Sequence, residues 1–209
     1  MNADVVAAIE AGDLAGLKRL VASGQVPVNA KGGYPPLHEA AGCGHLEMVR
    51  YLVEEAGADP RVQNAQGITP LSIAACDGHL DIVRYLIEER GMDPTEADAT
   101  VGLKLPMLQM LASLITSRFL QGCNPLHHAC WSFRADVAEY LLENTRIDPL
   151  AKRKYAEYAL LGAVRPLEED EAPDQGLPIL ELFHRKAPKA LDLPGRQGKE
   201  LQSMLTAIP

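Results

Sequence analysis

Apolar residues recur along this chain with the spacing of amphipathic helices. In two segments, 46–53 and 80–87, apolar residues recur at every third or fourth position, and charged residues lie between them. This pattern predicts helices with one apolar stripe each. A Gly-His break precedes each segment, and an alanine-bearing helical segment precedes each break, so the sequence predicts helix pairs. The stripes are Leu46, Val49, Leu52 and Val53 in the first segment and Leu80, Val83, Leu86 and Ile87 in the second.

The helix pair is repeated at a period near 33 to 34 residues. Residues 33–60 and 67–94 align without a gap and share Pro-Leu, Ala-Ala, Gly-His-Leu, Val-Arg-Tyr-Leu and a closing Asp-Pro. A third copy, 122–149, opens Gly-Cys-Asn-Pro-Leu-His-His-Ala-Cys and closes Ile-Asp-Pro. One helix pair is too thin to bury its own apolar face, so the repeats are expected to stack and form a common core.

These copies follow the pattern G-x-T-P-L-H-x-A-A-x-x-G-H-L-x-x-V-x-x-L, which resembles the ankyrin repeat. The resemblance implies an all-α, right-handed solenoid of helix-turn-helix pairs with short β-hairpin-like loops. It also implies that the histidine of Pro-Leu-His, His38 or His127, ties the loops of adjacent repeats together by hydrogen bonds. Independently of the resemblance, proline suits the start of a helix and the alanine pairs allow close helix contact.

About five repeats and a terminal helix fit this frame as a single domain, 1–209. The clear copies are 32–64, 65–94 and 121–151. Residues 2–31 keep the Gly12-Asp13 turn but lack Pro-Leu-His, as expected of a degenerate N-terminal cap. Residues 152–192 are predicted to be a degenerate fifth repeat, with a first helix near Leu160 and a second over about 177–187. Residues 193–209 are predicted to form a capping helix.

An insertion lies between the third and the fourth repeat. Leu37 and Leu71 are 34 residues apart, whereas Leu71 and Leu126 are 55 apart, so about 21 residues are added within 95–120. The apolar spacing after Pro106 predicts a helix over 106–119. Two interpretations remain open: the helix extends the core, or it contributes to partner binding beside the concave face.

The fourth repeat departs from the pattern at its interhelical turn, where Phe133 replaces glycine. Because a phenylalanine adopts the left-handed backbone conformation only at a cost, we expect this turn to differ in shape from the others. Trp131 lies two residues earlier and is either a binding anchor or packed against the inserted helix. If Trp131 is an anchor, its replacement by alanine should weaken partner capture by ~2 kcal/mol or more.

Composition and charge restrict the class of partner. The 20 basic and 28 acidic residues give a net charge of −8, which disfavours nucleic acid and anionic membrane surfaces. No apolar run approaches the ~20 residues of a membrane span, and the N-terminus lacks the pattern of a secretory signal. With four irregularly spaced cysteines, the chain is expected to be intracellular, cytoplasmic with nuclear localisation as the alternative, and monomeric on its own.

The sequence offers little support for catalysis, a cofactor or a metal. It contains no phosphate-binding loop, dinucleotide fingerprint or nucleophile elbow. A cluster of thiols and imidazoles invites a zinc interpretation, but its spacing matches no established zinc site, and free thiols explain the cysteines better. That cluster is Cys123, His127, His128 and Cys130.

The preferred interpretation is a non-enzymatic protein-interaction module, a scaffold or adaptor that binds another protein through its concave face and loop tips. The alternatives are a regulatory subunit or fragment acting with a separate catalytic partner, and a zinc-binding or enzymatic repeat protein. The resemblance to ankyrin repeats places the contacts at the loop tips and at the outward residues of each first helix. The predicted contact residues are Tyr34, Cys43, Gln66, Ile68, Cys76, Asp77, Gln121, Cys123, His128, Trp131 and Ser132.

Overall fold

A computed structural model of the chain describes residues 2–29, 34–96, 98, 122–150, 159–160 and 173–192. The predicted inserted helix 106–119 and the predicted capping helix 193–209 lie outside these residues. So do Gln121 and most of the first helix predicted near Leu160.

The described residues form helix pairs in the predicted order. The second helix of the third pair continues into a π-helical segment, Tyr85–Glu89, and the last helix is followed by a 3₁₀ turn, Pro188–Leu191. None of these described helices is long and apolar enough to cross a membrane. The helices are α1 (Ala3–Glu10), α2 (Leu14–Ala22), α3 (Pro36–Gly42), α4 (Leu46–Glu54), α5 (Pro70–Asp77), α6 (Leu80–Arg84), α7 (Pro125–Trp131), α8 (Ala135–Asn144) and α9 (Pro173–Lys186).

The helices stack in two layers, which together bury one continuous core. In the layer of first helices, α1 contacts α3, α3 contacts α5, and α5 contacts α7. In the layer of second helices, α4 contacts α6, α6 contacts α8, and α8 contacts α9. Small side chains allow the close approach of the first helices, because a larger residue there would separate them. The small residues Ala40, Ala41, Ala74, Ala75, Ala129 and Cys130 are all completely buried.

Proline and local capping residues start the first helices as the sequence predicts. Pro36, Pro70 and Pro125 each occupy the first helical position, where the missing amide hydrogen has no intrahelical acceptor to lose. Before Pro70, the Thr69 side chain accepts a hydrogen bond from the Ser72 amide at 3.2 Å. Before Pro125, Asn124 forms a reciprocal capping box with His127.

The prediction that the turn at Phe133 differs in shape is wrong. Phe133 has φ +58°, in the same left-handed region as Gly44 at +76° and Gly78 at +85°. The following residue, Arg134, donates its amide to the Ala129 carbonyl at 2.8 Å, and the repeats with glycine make the equivalent bond. The packing of α7 on α8 and this hydrogen bond therefore hold Phe133 in a conformation that costs a non-glycine residue ~1–2 kcal/mol.

A regular series of side-chain contacts joins the second helices. In each of three successive repeats, a tyrosine ring lies beneath a cation from the preceding repeat. Two of these tyrosines also donate their hydroxyl to a glutamate of that preceding repeat: Tyr85 to Glu54 at 3.0 Å and Tyr140 to Glu88 at 2.8 Å. Each contact stabilises the stack modestly because the charged groups remain partly exposed. The cation–ring pairs are Lys18 over Tyr51 at 4.7 Å, Arg50 over Tyr85 at 4.4 Å and Arg84 over Tyr140 at 5.1 Å.

Candidate partner-binding surface

The layer of first helices has an outer side that the second helices do not cover. We use the term first-helix face for the accessible residues of α1, α3, α5 and α7 together with the adjoining residues 34, 43, 66, 68 and 132. Tyr34 is one of its most accessible large apolar side chains, at 40% exposure. This face is the part of the described structure on which most of the predicted contact residues lie.

Eight predicted contact residues have accessible side chains on the first-helix face. Tyr34, Gln66 and Asp77 are exposed. The others are half-buried, which leaves part of each side chain available to a partner. These half-buried residues are Cys43, Ile68, Cys76, Trp131 and Ser132.

The structure corrects two of the predicted contact residues. Cys123 and His128 are only 4% and 3% exposed, so their side chains lie inside the stack and not on the proposed surface. Cys123 lies in the loop before α7, and its carbonyl accepts a hydrogen bond from the Asp98 amide at 2.7 Å. His128 points toward Asp98, with 2.7 Å between Nε2 and Oδ2. Burial against the preceding loop explains why neither side chain reaches the surface.

Three carboxylates give the first-helix face a negative character. We call Glu10, Glu39 and Asp77 the acidic strip. Burial and the charges of the acidic strip raise the pKa of the Cys43 thiol. Burial, followed by Glu39 and Asp77, raises the pKa of Tyr34 to about 12. These effects show that the three carboxylates act on the same small area, between α1 and α5.

The loops that precede α5 and α7 contain an equivalent backbone hydrogen bond. In the loop before α5, the Asn64 amide donates to the Ile68 carbonyl at 3.0 Å across a short hairpin. In the loop before α7, the Asp98 amide makes the same kind of bond to the Cys123 carbonyl. This bond holds Asp98 and Cys123 together beside α7.

Side chains from adjacent repeats tie the loops and turns together. His38 Nε2 lies 2.9 Å from the Ile68 carbonyl, so this ring links two loops as the resemblance implies. The His127 ring bonds Asn124 of its own repeat, with 2.7 Å between Nδ1 and Oδ1. At the turns, His79 Nε2 lies 2.7 Å from the Gly42 carbonyl, and Arg134 Nε donates to the Cys76 carbonyl at 3.2 Å. Arg134 thus replaces the histidine at this turn.

Asp98 is an important residue that the sequence reasoning missed. Its Oδ1 accepts hydrogen bonds from the Ser72 hydroxyl at 2.8 Å and the Thr69 amide at 3.3 Å. Its Oδ2 contacts the buried His128. Burial opposes the imidazolium form, but the hydrogen bonds and charges of Asp98 and Cys76 outweigh it and raise the pKa of His128 to about 9. The 34-residue offset from Asn64 to Asp98 was the available sequence signal.

The residues considered for zinc do not form a shared set of ligands. His128 contacts Asp98, and His127 contacts Asn124. Cys130 is completely buried, and burial raises the pKa of its thiol, which disfavours the thiolate that zinc requires. Among the described residues, no three cysteine, histidine or acidic side chains come together in a metal-binding arrangement. All four cysteines are free thiols in the structure.

Comparison with known protein families identifies two matching segments. Residues 5–98 match a model described as ankyrin repeats, in three copies, and residues 121–154 match the ankyrin repeat. The first segment spans α1 through α6 and the loop ending at Asp98, and the second begins just before α7. Ankyrin repeats are protein–protein interaction modules. The matched segments together cover more than half of the chain, which therefore belongs to the ankyrin repeat family.

Proposed function

We propose that this protein is a non-enzymatic adaptor or scaffold that binds a segment of another protein on its first-helix face. The observation that carries the proposal is the combination, on one side of the first-helix layer, of the exposed Tyr34 ring and the acidic strip. Aromatic side chains supply much of the binding energy at interfaces, whereas charges around them select the partner. Family membership supports a protein as the ligand.

The chemistry of the surface favours a basic partner. Burial, followed by the charges of the acidic strip, raises the pKa of the Cys43 thiol. The negative potential of the strip would stabilise a lysine or arginine placed over the same area. The net charge of −8 adds long-range attraction for such a segment. We therefore expect a partner segment that carries basic residues beside an apolar side chain that can contact Tyr34. Trp131, half-buried at the end of α7, is a second candidate anchor.

Site-specific photo-crosslinking tests the location of this surface. A photoreactive phenylalanine replaces Tyr34, which is 40% exposed, or Leu150, which is 38% exposed and serves as the matched control. In the native cell, position 34 should crosslink to a discrete protein and position 150 should not crosslink to that protein. Crosslinking of the same protein from both positions, or from position 150 alone, would contradict the proposed surface.

A pair of charge-reversal variants tests the role of the acidic strip. Asp77→Lys and Glu47→Lys each replace one negative charge by one positive charge, so both change the net charge from −8 to −6. Glu47 is exposed in the first turn of α4, in the other helix layer. Asp77→Lys should reduce the crosslinking yield at least about tenfold, and Glu47→Lys should not. Equal yields from the two variants would show that net charge, and not the strip, controls binding.

Trp131→Ala separates an anchor from a core residue. As an anchor, Trp131 should contribute ~2 kcal/mol or more to partner binding and little to stability. Full affinity combined with a lower free energy of unfolding would instead assign Trp131 to the core.

A further inference from the structure

The first helix pair carries an open groove between its two helices, α1 and α2. The groove has a volume of about 580 Å³, which lies within the range of ligand-binding clefts. Ala7 and Ala8 of α1 and Leu20 of α2 provide apolar lining, and Asp4 and Asp13 provide carboxylates. Ala7, Asp4 and Asp13 are exposed, so the groove is accessible from outside the stack.

The next three repeats bury the equivalent surface against the repeat that precedes each of them. Leu20 is half-buried, whereas the leucine at the same position of each of those repeats is completely buried. Arg19 replaces a tyrosine whose ring lies beneath a cation of the preceding repeat. The groove is therefore the surface on which the other repeats receive helices, so a helix is the occupant that fits its shape. The equivalent leucines and tyrosines are Leu52, Leu86, Leu141, Tyr51, Tyr85 and Tyr140.

Gly16 opens the groove, because the next three repeats have a large, buried apolar side chain at this position. A Cβ on Gly16 would lie 2.2 Å from Asp13 Oδ2, so the missing side chain makes room for the carboxylate. Asp13 Oδ1 accepts a hydrogen bond from the Gly16 amide at 2.8 Å, which holds the carboxylate at the groove. The first repeat thus has a carboxylate where the others have an apolar group. Those apolar residues are Met48, Ile82 and Val137.

The two carboxylates lie at opposite ends of the groove. Asp4 is in the first turn of α1, whereas Asp13 follows the end of α1 and caps α2. At 1.5 Å per residue, α1 separates the two ends by about 10 Å. Arg19 lies 3.8 Å from Asp13 Oδ2, but these side chains are 76% and 49% exposed and form only a weak ion pair. A cation of a partner can therefore compete for Asp13.

We propose that this groove binds one amphipathic helix of another protein, with basic residues at positions i and i+7 and bulky apolar residues at i+3 and i+4. Two helical turns span about 10.5 Å, which matches the separation of Asp4 and Asp13. The four positions share one face of a helix, so the apolar pair contacts the alanines of α1 and Leu20. Small side chains there allow the close approach that packing requires.

This site is separate from the partner segment proposed for the first-helix face, although α1 contributes to both. Tyr34 and Asp77, which carry that proposal, do not line the groove. Asp77→Lys should consequently leave the affinity of the groove for its helix unchanged within about twofold. The two proposals can therefore fail independently of each other.

Binding of a designed helix to the full chain tests the proposal. The probe is an alanine-based helical peptide with lysine at i and i+7 and leucine at i+3 and i+4, and the control peptide has glutamate in place of both lysines. Fluorescence anisotropy should show saturable binding of the lysine peptide and at least about tenfold weaker binding of the control. No saturable binding below about 1 mM, or equal affinities for the two peptides, would overturn the proposal.

A matched pair of variants tests whether the peptide occupies the groove. Ala7→Phe places a ring in the groove, whereas Ala15→Phe adds the same ring to an exposed position of α2 that does not line it. Ala7→Phe should weaken peptide binding at least about tenfold, and Ala15→Phe should change it by less than about twofold. Equal affinities of the two variants would contradict the location. If Ala7→Phe converts a wild-type dimer to a monomer, a second copy occupies the groove and the proposal is wrong.

A second pair of variants tests the two carboxylates. Asp4→Asn/Asp13→Asn removes both charges while asparagine retains the ability to cap a helix, so the fold is preserved. Glu47→Gln/Glu55→Gln removes two charges from exposed positions of the second helix pair and gives the same net charge. The asparagine variant should bind the lysine peptide at least about fivefold more weakly than the glutamine variant. Equal binding would show that the carboxylates do not select the helix, which would overturn the proposal.

Discussion

The proton held by the buried His128 should make the stability of the fold depend on pH. Burial opposes the charge, but the hydrogen bonds and charges of Asp98 and Cys76 raise the pKa from 6.5 to about 9. A group whose pKa is higher in the folded chain contributes stability that is fully present below the unfolded pKa. That contribution is lost as the pH rises through the folded pKa. For His128 the window is therefore pH 6.5 to about 9.

The wild-type chain should hide part of this effect. A rise of the His128 pKa from 6.5 to about 9 corresponds to ~3 kcal/mol of stability. Cys76 acts in the opposite direction, because burial is outweighed by its contacts with His128 and Ser132 and its pKa is lowered. A lowered pKa contributes stability that is present above the unfolded pKa and is lost as the pH falls. Where the two groups titrate over the same pH range, the two changes therefore oppose each other.

Replacing Cys76 by serine removes the opposing contribution and exposes that of His128. Urea unfolding of Cys76→Ser should give a free energy of unfolding that falls by ~1–3 kcal/mol more between pH 6 and pH 9 than that of Cys76→Ser/His128→Gln. The value of ~3 kcal/mol is an upper limit, because the contribution of Cys76 to the His128 pKa is gone. The comparison of two variants cancels the titration of all other groups.

An equal pH dependence in the two variants would refute the reasoning, because it would mean that folding does not raise the pKa of His128. Cys76→Ser/Asp98→Asn provides an independent check, since Asp98 stabilises the charged ring. This variant should also lose the excess pH dependence. If it retains the full excess, Asp98 is not the source of the raised pKa.

Three further predictions concern the turns and the second-helix contacts. Gly44→Ala should destabilise the fold by at least ~1 kcal/mol more than Gly24→Ala. Both glycines have a positive φ, but only an added Cβ at position 44 would lie 2.6 Å from the His79 ring. Equal urea midpoints for the two variants would contradict this. Phe133→Gly should be ~1 kcal/mol more stable than Phe133→Ala by the same measurement, since only glycine relieves the left-handed strain. Tyr85→Phe should lower the free energy of unfolding by ~1 kcal/mol through loss of its hydroxyl bond to a glutamate; no loss would show that water replaces that bond equally well.

Much of the fold was predictable from the sequence because each repeat carries its own local signals. Prolines start α3, α5 and α7, glycines end the first helices of the second and third repeats, and apolar residues at helical spacing mark the buried side. The role of His38 in joining adjacent loops was also available from the resemblance and is confirmed by its contact with Ile68. A 34-residue period repeated without a gap left few alternatives to stacking.

The candidate surface was predictable only in part, because exposure depends on what packs against each position. Tyr34 and Asp77 were correctly placed on the surface, whereas Cys123 and His128 are buried by the loop that contains Asp98. A position in the repeat frame indicates the direction of a side chain, but not whether a neighbouring loop covers it.

The sequence by itself determined the family, the repeat period, the order of the helices and the place at which residues are inserted, since all of these depend on local periodicity and short-range chemistry. Only the tertiary structure decided the conformation of Phe133, where packing of two helices overcomes a backbone preference of ~1–2 kcal/mol. It also decided the surroundings of His128, because this ring meets Asp98 and acts on Cys76 of the preceding repeat only when the two repeats stack. Electrostatic interactions act through space, so Asp98 and Cys76, which lie 30 and 52 positions away from His128 in the sequence, raise the pKa of its ring.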